Sequence, residues 1–548
     1  MKLAPVSWPR RPLGAWRTLL TAAEGYPALE QATLSAQRSV WLWFRIFDPD
    51  MKLTDPRVRA AAGECWADLL ALKRDQGVFI AIALADFDPL GAAELHEGAW
   101  RAARRLAPLA EPGALEVLVA PHPARAGLAW RAMLGLPAMW LTERRRRALN
   151  ALDTTLRAIR FGDNPGLWPR LQISADARLR HRRPRWPEAL PATHHQKVAV
   201  FDGARVILGG LDVDMRRWDD PGHNRPAEQT WRDVSVELDG PIAGDVARHL
   251  AELWNDARLR FRTPARRFAP PSVTPPPRPG PIEAPPEAEG ADAEGPTVRF
   301  SRTLSGPSGE WFRVSPLLVD NGLEREHIAA IAGARRLIYI ETQYFRSGPI
   351  ARALVAAARA RPELDLILTI PAAPDNVAFE GASDPPTRFG EWLQARGLRA
   401  VLRAFAGRAF IASPARAAAS AASDRSSLHG AGIIYVHSKV LVADDAVAIV
   451  SSANLNGRSM RWDTEAGVVF EAPEVAAAIR RRLFETLLPE NAGPEAFAPE
   501  TARAVWRRIA VANHAAPPEA RRGLILPYDM TAPRRFGAPL PGAPEELV

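Results

Sequence analysis

Lysine is almost missing from this 548-residue chain. It occurs at Lys2, Lys52, Lys73, Lys197 and Lys439, and arginine supplies the rest of the cationic side chains. Cysteine is scarcer still. Lone Cys65 excludes an intrachain disulfide, so nothing demands an oxidising compartment. No run approaches the ~18 apolar residues of a membrane-crossing helix, and the opening MKLAPVSWPRRPLGAWRTLL lacks the apolar core of a secretory signal. These absences predict a cytoplasmic or peripheral-membrane protein, with export by a signal-independent route left open. Zinc-ligand clusters, a P-loop and an EF-hand pattern are also missing, so no metal, nucleotide or other cofactor is expected.

What is present is a globular composition, 47% hydrophobic and 24% charged, in a chain long enough for at least two lobes. A net charge of +9 favours anionic partners: a membrane surface, nucleic acid or a phosphate-bearing substrate. An arginine-rich composition alone accounts for the same charge.

The scarcity of lysine gives weight to two short stretches, HHQKVAVFDG at 194–203 and VHSKVLVADD at 436–445. Each has a His, a Lys two residues on and an Asp five after that: His195, Lys197, Asp202 and His437, Lys439, Asp444. With 11 His and the five Lys, a His-x-Lys pair should arise by chance roughly 0.1 times. Both segments are apolar and β-branched, so His and Lys should project from one face of a strand. A neutral imidazole can attack phosphorus or move a proton near neutral pH. An ammonium beside it can stabilise anionic oxygens in the transition state. Two copies make a metal-independent phosphodiester-cleaving site.

The matching continues. After Asp202, six residues lead to Gly209, Gly210, Leu211 and Asp212; after Asp444, six lead to Ser451, Ser452, Ala453 and Asn454. Both blocks resemble the duplicated HxKx4Dx6(G/S)(G/S)x(N/D) signature of the phospholipase D superfamily. GGLDVDMRRWDDP (209–221), WRDVSVELDGP (231–241), IYIETQYF (338–345) and SSANLNGRSM (451–460) resemble its lipid-cleaving branch.

The chain also looks doubled. In each half, helices alternate with short apolar strands, then come the His–Lys hairpin, one more strand and a helix. This predicts an α/β fold of two similar α-β-α lobes with mixed, mostly parallel sheets, related by a pseudo-twofold axis. The expected lobes are 1–262 and 299–490, each with one motif. Between them lies a linker, 263–298, with 11 prolines between Pro264 and Pro296; a Pro- and Ala-rich tail, 491–548, follows. Each half supplies half a site, so the cleft should lie at their interface.

The resemblance implies roles. His195 is expected as the nucleophile that forms a phosphohistidine, with His437 as acid and then base. Lys197, Lys439 and Asn454 should bind the phosphate. Asp212, at the position equivalent to Asn454, departs from the Asn of many relatives and should orient a lysine or backbone. Asp233 should orient His195 and Glu465 should orient His437, with Asp463 competing for the second role. Asp202 and Asp444 read as structural turn residues. His194 should face away from the site; His181, His223 and His429 read as surface or loop residues. Trp218 stands evenly between cleft and core. Glu341 and Gln343 should reach the cleft floor, whereas core packing accounts equally well for Tyr344.

The expected reaction is phospholipase D hydrolysis of the distal phosphodiester, giving phosphatidate and free headgroup alcohol, with transphosphatidylation open. The alternatives are a cardiolipin synthase-like phosphatidyltransferase, a nuclease or other phosphodiesterase, and an inactive membrane-binding protein. The expected partners are a phospholipid and a membrane surface, without nucleic acid, for a monomer. GLAWRAMLGLPAMW at 127–140, followed by Arg144 to Arg147, suits a headgroup boundary; a buried helix with a solvated arginine turn is the other reading. A second arginine cluster, 177–186, could attract phospholipid or nucleic acid.

Overall fold

A computed structural model describes residues 4–182, 187, 189–261, 268–270, 273, 277–283, 295–313 and 315–548. The apolar runs at 40–44, 79–85 and 115–120 form adjacent buried strands, continuous in hydrophobicity because helices cover both faces. The first sheet contains β1 (Trp16–Leu20), β2 (Ser39–Phe44), β3 (Phe79–Ala85), β4 (Leu115–Ala120), β5 (Val198–Phe201), β6 (Arg205–Gly209) and β7 (Val234–Asp239). Their spatial order is β1-β7-β6-β5-β2-β3-β4.

The second sheet repeats this plan. Its strands β8 (Thr297–Gly306), β9 (Leu337–Thr342), β10 (Asp365–Thr369), β11 (Ala409–Ala419), β12 (Lys439–Ala443), β13 (Val447–Ser451) and β14 (Glu465–Glu471) run in the order β8-β14-β13-β12-β9-β10-β11. Every strand of the first sheet therefore has a counterpart seven labels later, and the doubling read from the sequence is a doubling of hydrogen-bonded topology. The sheets are mixed but not mostly parallel. Among the seven equivalent strands of each, four of the six pairings are antiparallel and two are parallel. The reason is local: the His–Lys strand turns straight back in a tight hairpin, and the strand after it returns beside that hairpin.

The two halves are knitted together. Arg10–Pro12 pairs with β8 of the second sheet, and Ile525–Pro527 pairs with β11. The largest buried cluster contains residues of both sheets, among them Val206, Val234, Val450 and Val468. A buried ion pair crosses the interface, Arg232 with Glu341. The Arg232 guanidinium also donates to Thr486 Oγ1 (2.8 Å) and the Leu483 carbonyl (3.2 Å). Glu341 is thereby committed to the interface rather than to a cleft floor. Gln343 donates to the Tyr435 hydroxyl at 2.8 Å.

Of the expected linker, residues 263–267, 271–272, 274–276 and 284–294 lie outside the described residues. Its described part packs on the first half: Trp254 donates to the Gly280 carbonyl at 2.9 Å, and Ile282 is buried. Positions 183–186 of the 177–186 arginine cluster are likewise outside the described residues. Among the described residues no helix is long and apolar enough to cross a membrane.

Removing one member of a buried pair strands the other charge, at a cost of about 3–5 kcal/mol, whereas an exposed pair contributes little. Glu341→Ala should therefore lower the thermal unfolding midpoint markedly. Glu363→Ala, which breaks the exposed Arg336–Glu363 pair, should barely move it. Equal shifts in differential scanning calorimetry would contradict this account of the interface.

Candidate active site

The site is built where β5 and β12 begin. His195 and His437 each stand two residues ahead of their lysine, and all four side chains are buried. Backbone bridges between the halves fix the two approaches. The His195 N–H donates to Thr464 O (2.8 Å) and the Thr464 N–H to Thr193 O (3.0 Å). Reciprocally, the His437 N–H donates to Arg232 O (2.7 Å) and the Arg232 N–H to Tyr435 O (2.8 Å). Each histidine segment is thus paired with the segment that opens the last strand of the opposite half.

This crossing corrects the expected acceptors. His195 Nδ1 lies 2.8 Å from Glu465 Oε1, and His437 Nδ1 lies 2.7 Å from Asp233 Oδ2. Asp233 therefore orients His437, and Glu465 orients His195. The roles implied by the resemblance pair each His with the carboxylate of its own half; the interface bridges bring the opposite half's carboxylate to it instead. Asp463 serves neither role: it accepts from the Thr193 N–H at 2.8 Å and pairs with Arg458 at 2.9 Å. With both Nδ1 atoms facing carboxylates, Nε2 is the atom of each ring left for chemistry.

Small differences tune the two carboxylates. A Cβ at Gly210 would meet Asp233 Oδ1 at 2.2 Å, so glycine makes room for that carboxylate. At the equivalent position, Ser452 donates its hydroxyl to Glu465. The lysines also differ. Each ammonium donates to the carbonyl of its own histidine, but Lys197 additionally lies 3.7 Å from Asp212 Oδ2. Asp212 also accepts the Ile46 N–H at 3.0 Å, so its place is that of an orienting anion. Asn454, at the equivalent position of the second half, is neutral and buried.

Burial dominates the electrostatics. It holds both imidazoles well below their usual range, helped by Lys197 and Arg45 at His195 and by Lys439 and Arg217 at His437. It raises Asp233 to about 7 and Glu465 to about 8, against the pull of Lys439 and Lys197 respectively. It lowers Lys439 to about 7, with Asp233 opposing. The site is therefore poised to exchange protons near neutrality and to welcome an anion.

Asp202 and Asp444 sit in the left-handed region, with φ of 56° and 54°. Their work goes beyond the turn. Asp202 accepts the N–H groups of Gln37, Arg38 and Ser39, and Asp444 those of Arg335, Arg336 and Leu337. Each ties the end of the His–Lys strand to the start of its antiparallel neighbour.

Several participants were missed in the sequence. Arg45 ends β2, and its Nε is sealed without a hydrogen-bond partner among the described residues. The Arg217 guanidinium stacks over the Trp231 ring at 3.8 Å, and that ring lies 4.6 Å from His437. Trp231, rather than Trp218, is the indole against the imidazole. Trp218 is half-buried, packed on the core under Arg225. His223 is buried, not a surface residue. Its Nδ1 lies 2.6 Å from Asp219, which also accepts the Trp231 N–H at 2.6 Å. His194 faces away, as expected, against Trp43 and His122. A usable signal existed for Arg45: it is a lone cation closing an apolar strand at the end where ligands bind.

Residues 327–487 match the family model described as "Cardiolipin synthase, PLD-like domain". Phospholipase D1 of Schizosaccharomyces pombe is 25% identical over 374 residues, 54% of this chain and 25% of that protein. Phospholipase D2 of Bos taurus is 24% identical over 460 residues, 64% of this chain and 44% of that protein. The matches thus span between a quarter and less than half of these relatives. A solved phosphatidylserine synthase of Haemophilus influenzae Rd KW20 aligns over 92% of this chain and 95% of its own, at 12% identity and a TM-score of 0.48.

Two outcomes test the site. In Asp233→Asn the imidazole nitrogen signals of His437 should change while those of His195 hold, and Glu465→Gln should do the reverse. Each should lower phosphodiester turnover roughly 10²- to 10⁴-fold; same-half responses in ¹⁵N NMR would reject the crossed pairing. Lys439 loses its proton as pH rises through about 7. Inhibition by sulfate, whose own charge is constant there, should therefore weaken over that interval, and a flat inhibition constant would contradict the assignment.

Proposed function

The chain belongs to the phospholipase D superfamily, and from that premise we propose that it hydrolyses the distal phosphodiester of glycerophospholipids to phosphatidate and a free alcohol. The observation that carries this reading is the pair of crossed His–carboxylate dyads, each with its lysine, in one buried cluster. Such a cluster supplies a nucleophile, an acid and fixed cations, which is what in-line displacement at a phosphodiester requires.

His195 Nε2 attacks phosphorus while the bond to the headgroup oxygen breaks, and the His437–Asp233 dyad, in which burial lowers the imidazole and raises the carboxyl, gives its shared proton to that oxygen through His437 Nε2. The phosphohistidine is then displaced by water, whose proton passes to His437, and phosphatidate leaves. Lys197, Lys439 and Asn454 hold the non-bridging oxygens, and charge concentrated by Arg45 and Arg217 adds to theirs. Asp212 keeps Lys197 protonated and aimed. The choice of His195 as nucleophile follows the family resemblance, because the two dyads are alike. The lipid substrate is favoured by the stretches similar to the lipid-cleaving branch and by the phospholipases D among the relatives.

A second reading follows from the description of the matched domain as cardiolipin synthase-like. There an alcohol replaces water in the second displacement, with the same residues in the same roles.

Phosphatidylcholine vesicles with added chelator discriminate these readings. Wild type should release choline and phosphatidate, and His195→Ala and His437→Ala should each lose at least roughly 10³-fold in rate. Added primary alcohol should divert part of the product to a phosphatidyl alcohol; complete diversion, with no hydrolysis, favours the transferase. Cleavage of single-stranded DNA but of no phospholipid would overturn the substrate, and lipid cleavage surviving both substitutions would overturn the mechanism.

A further inference from the structure

A stretch that the catalytic chemistry does not use carries, among the described residues, the densest group of exposed apolar side chains. Of the large apolar residues that stand exposed among the described residues, seven fall between Leu128 and Trp140. Six belong to two consecutive helices, Leu128–Met133 and Gly135–Asn150, and Leu134 joins them. The first helix buries none of its residues, and the second buries only Ala138, Thr142 and Leu149. Leu136 is 78% exposed, Met133 65% and Trp140 62%. The alternative of a buried helix is thereby ruled out. Pro137 does not interrupt the pair, because it sits in the first turn of the second helix, where a missing N–H is tolerated.

A second segment, far away in sequence, joins this surface. The Gly127 N–H donates to Arg313 O (2.8 Å) and the Ala129 N–H to Trp311 O (2.9 Å). Residue 127 has to be glycine for this approach, since a Cβ there would meet the Trp311 carbonyl oxygen at 2.5 Å. The docked loop presents Trp311 and Phe312, 67% and 57% exposed, beside the helices. Monomeric soluble proteins rarely expose so contiguous an apolar surface without a partner for it.

The surface is attached to the active site on both sides. The Ala126 N–H donates to the Ala189 carbonyl at 3.1 Å, and Arg131 Nε to the Pro187 carbonyl at 2.9 Å; the chain runs from there into His195. The docked loop follows β8, whose Ser305 hydroxyl donates to the Trp462 carbonyl, three residues ahead of Glu465. Both approaches to the His195–Glu465 dyad therefore hang from one apolar rim.

Charge selects the occupant. Between 127 and 147 there are five arginines and one glutamate. The exposed Arg144 guanidinium lies 5.8 Å from the Trp140 ring centroid. Tryptophan, leucine and methionine flanked by arginine suit the headgroup boundary of a bilayer with negative charge. A twofold contact between copies would set basic rim against basic rim on a chain whose net charge is already +9.

We propose that the helices Leu128–Met133 and Gly135–Asn150, with the Trp311–Phe312 loop, form a docking surface for a bilayer containing anionic phospholipid, which brings the mouth of the site to the headgroups. The inference rests on the reading that the substrate is a bilayer phospholipid. Its test is kept separate by measuring binding in the full-length His195→Ala chain, where turnover does not intervene. Sedimentation with phosphatidylcholine vesicles, with and without phosphatidylglycerol, should show a preference for the anionic vesicles. Leu136→Ser with Trp140→Ser, and independently Trp311→Ser with Phe312→Ser, should each lower the partition constant roughly tenfold or more. Arg144→Glu with Arg147→Glu should abolish the anionic preference. In the otherwise wild-type chain, both apolar double variants should still turn over soluble bis(p-nitrophenyl) phosphate, which shows the fold and site intact. Unchanged vesicle partition in both apolar variants overturns the proposal. So does a wild-type dimer that these substitutions convert to monomers without loss of vesicle partition, which would make the surface a self-interface. Loss of partition in the variants, beside a wild type that cleaves no phospholipid, sustains the surface and sinks only the substrate reading.

Discussion

Two buried contacts organise this molecule: the imidazole of each half against a carboxylate of the other. A carboxylate and an imidazole are costly to remove from water singly, so each dyad is viable only when the halves are docked. The backbone bridges that run beside the dyads, Thr193–Thr464 and Arg232–Tyr435, satisfy N–H and C=O groups that would otherwise be stranded. The Arg232–Glu341 pair, one residue from Asp233, ties the same seam to the second sheet. Chemistry and interface stability are consequently the same contacts seen for two purposes.

Burial of so many ionisable groups has a functional return. Desolvation raises Asp233 and Glu465 and lowers Lys439 until all three lie close to neutrality. In that state a small change, such as the arrival of a phosphate anion, can redistribute protons across the cluster. The doubled site is also broken where Asp212 stands 3.7 Å from Lys197 while the equivalent position of the second half is the neutral Asn454. It gives the two lysines different electrostatic settings without moving either strand.

Much of the fold was legible because it depends on local pattern. The short apolar strands, their alternation with helices and the repeat of the whole series all survive in the structure; of the two His–Lys pairs only Lys439 lies within a strand, and His195, Lys197 and His437 stand just ahead of one. The parallel character was overestimated, since apolar runs report burial on both faces and not strand direction. His223 was misplaced for a similar reason. A lone histidine in a polar loop gives no local sign that Asp219 will draw it inside. Arg217 and Trp231 were invisible as a pair, being 14 positions apart and joined only by stacking.

The sequence by itself determined which side chains could do the chemistry. Two His-x-Lys pairs in a chain almost empty of lysine, with acidic and amide residues at matched offsets, name the reactive groups and the strand faces that carry them. Spacing along a strand is a local property, and local properties are written in the sequence. The tertiary structure alone decided which carboxylate stands against which histidine, and that Gly127 and Ala129 dock on the backbone of Arg313 and Trp311. Those outcomes depend on how two separately patterned sheets dock. Docking is set by the joint packing of many residues across the interface, such as Val206 and Val234 with Val450 and Val468, and no stretch of chain encodes that alone.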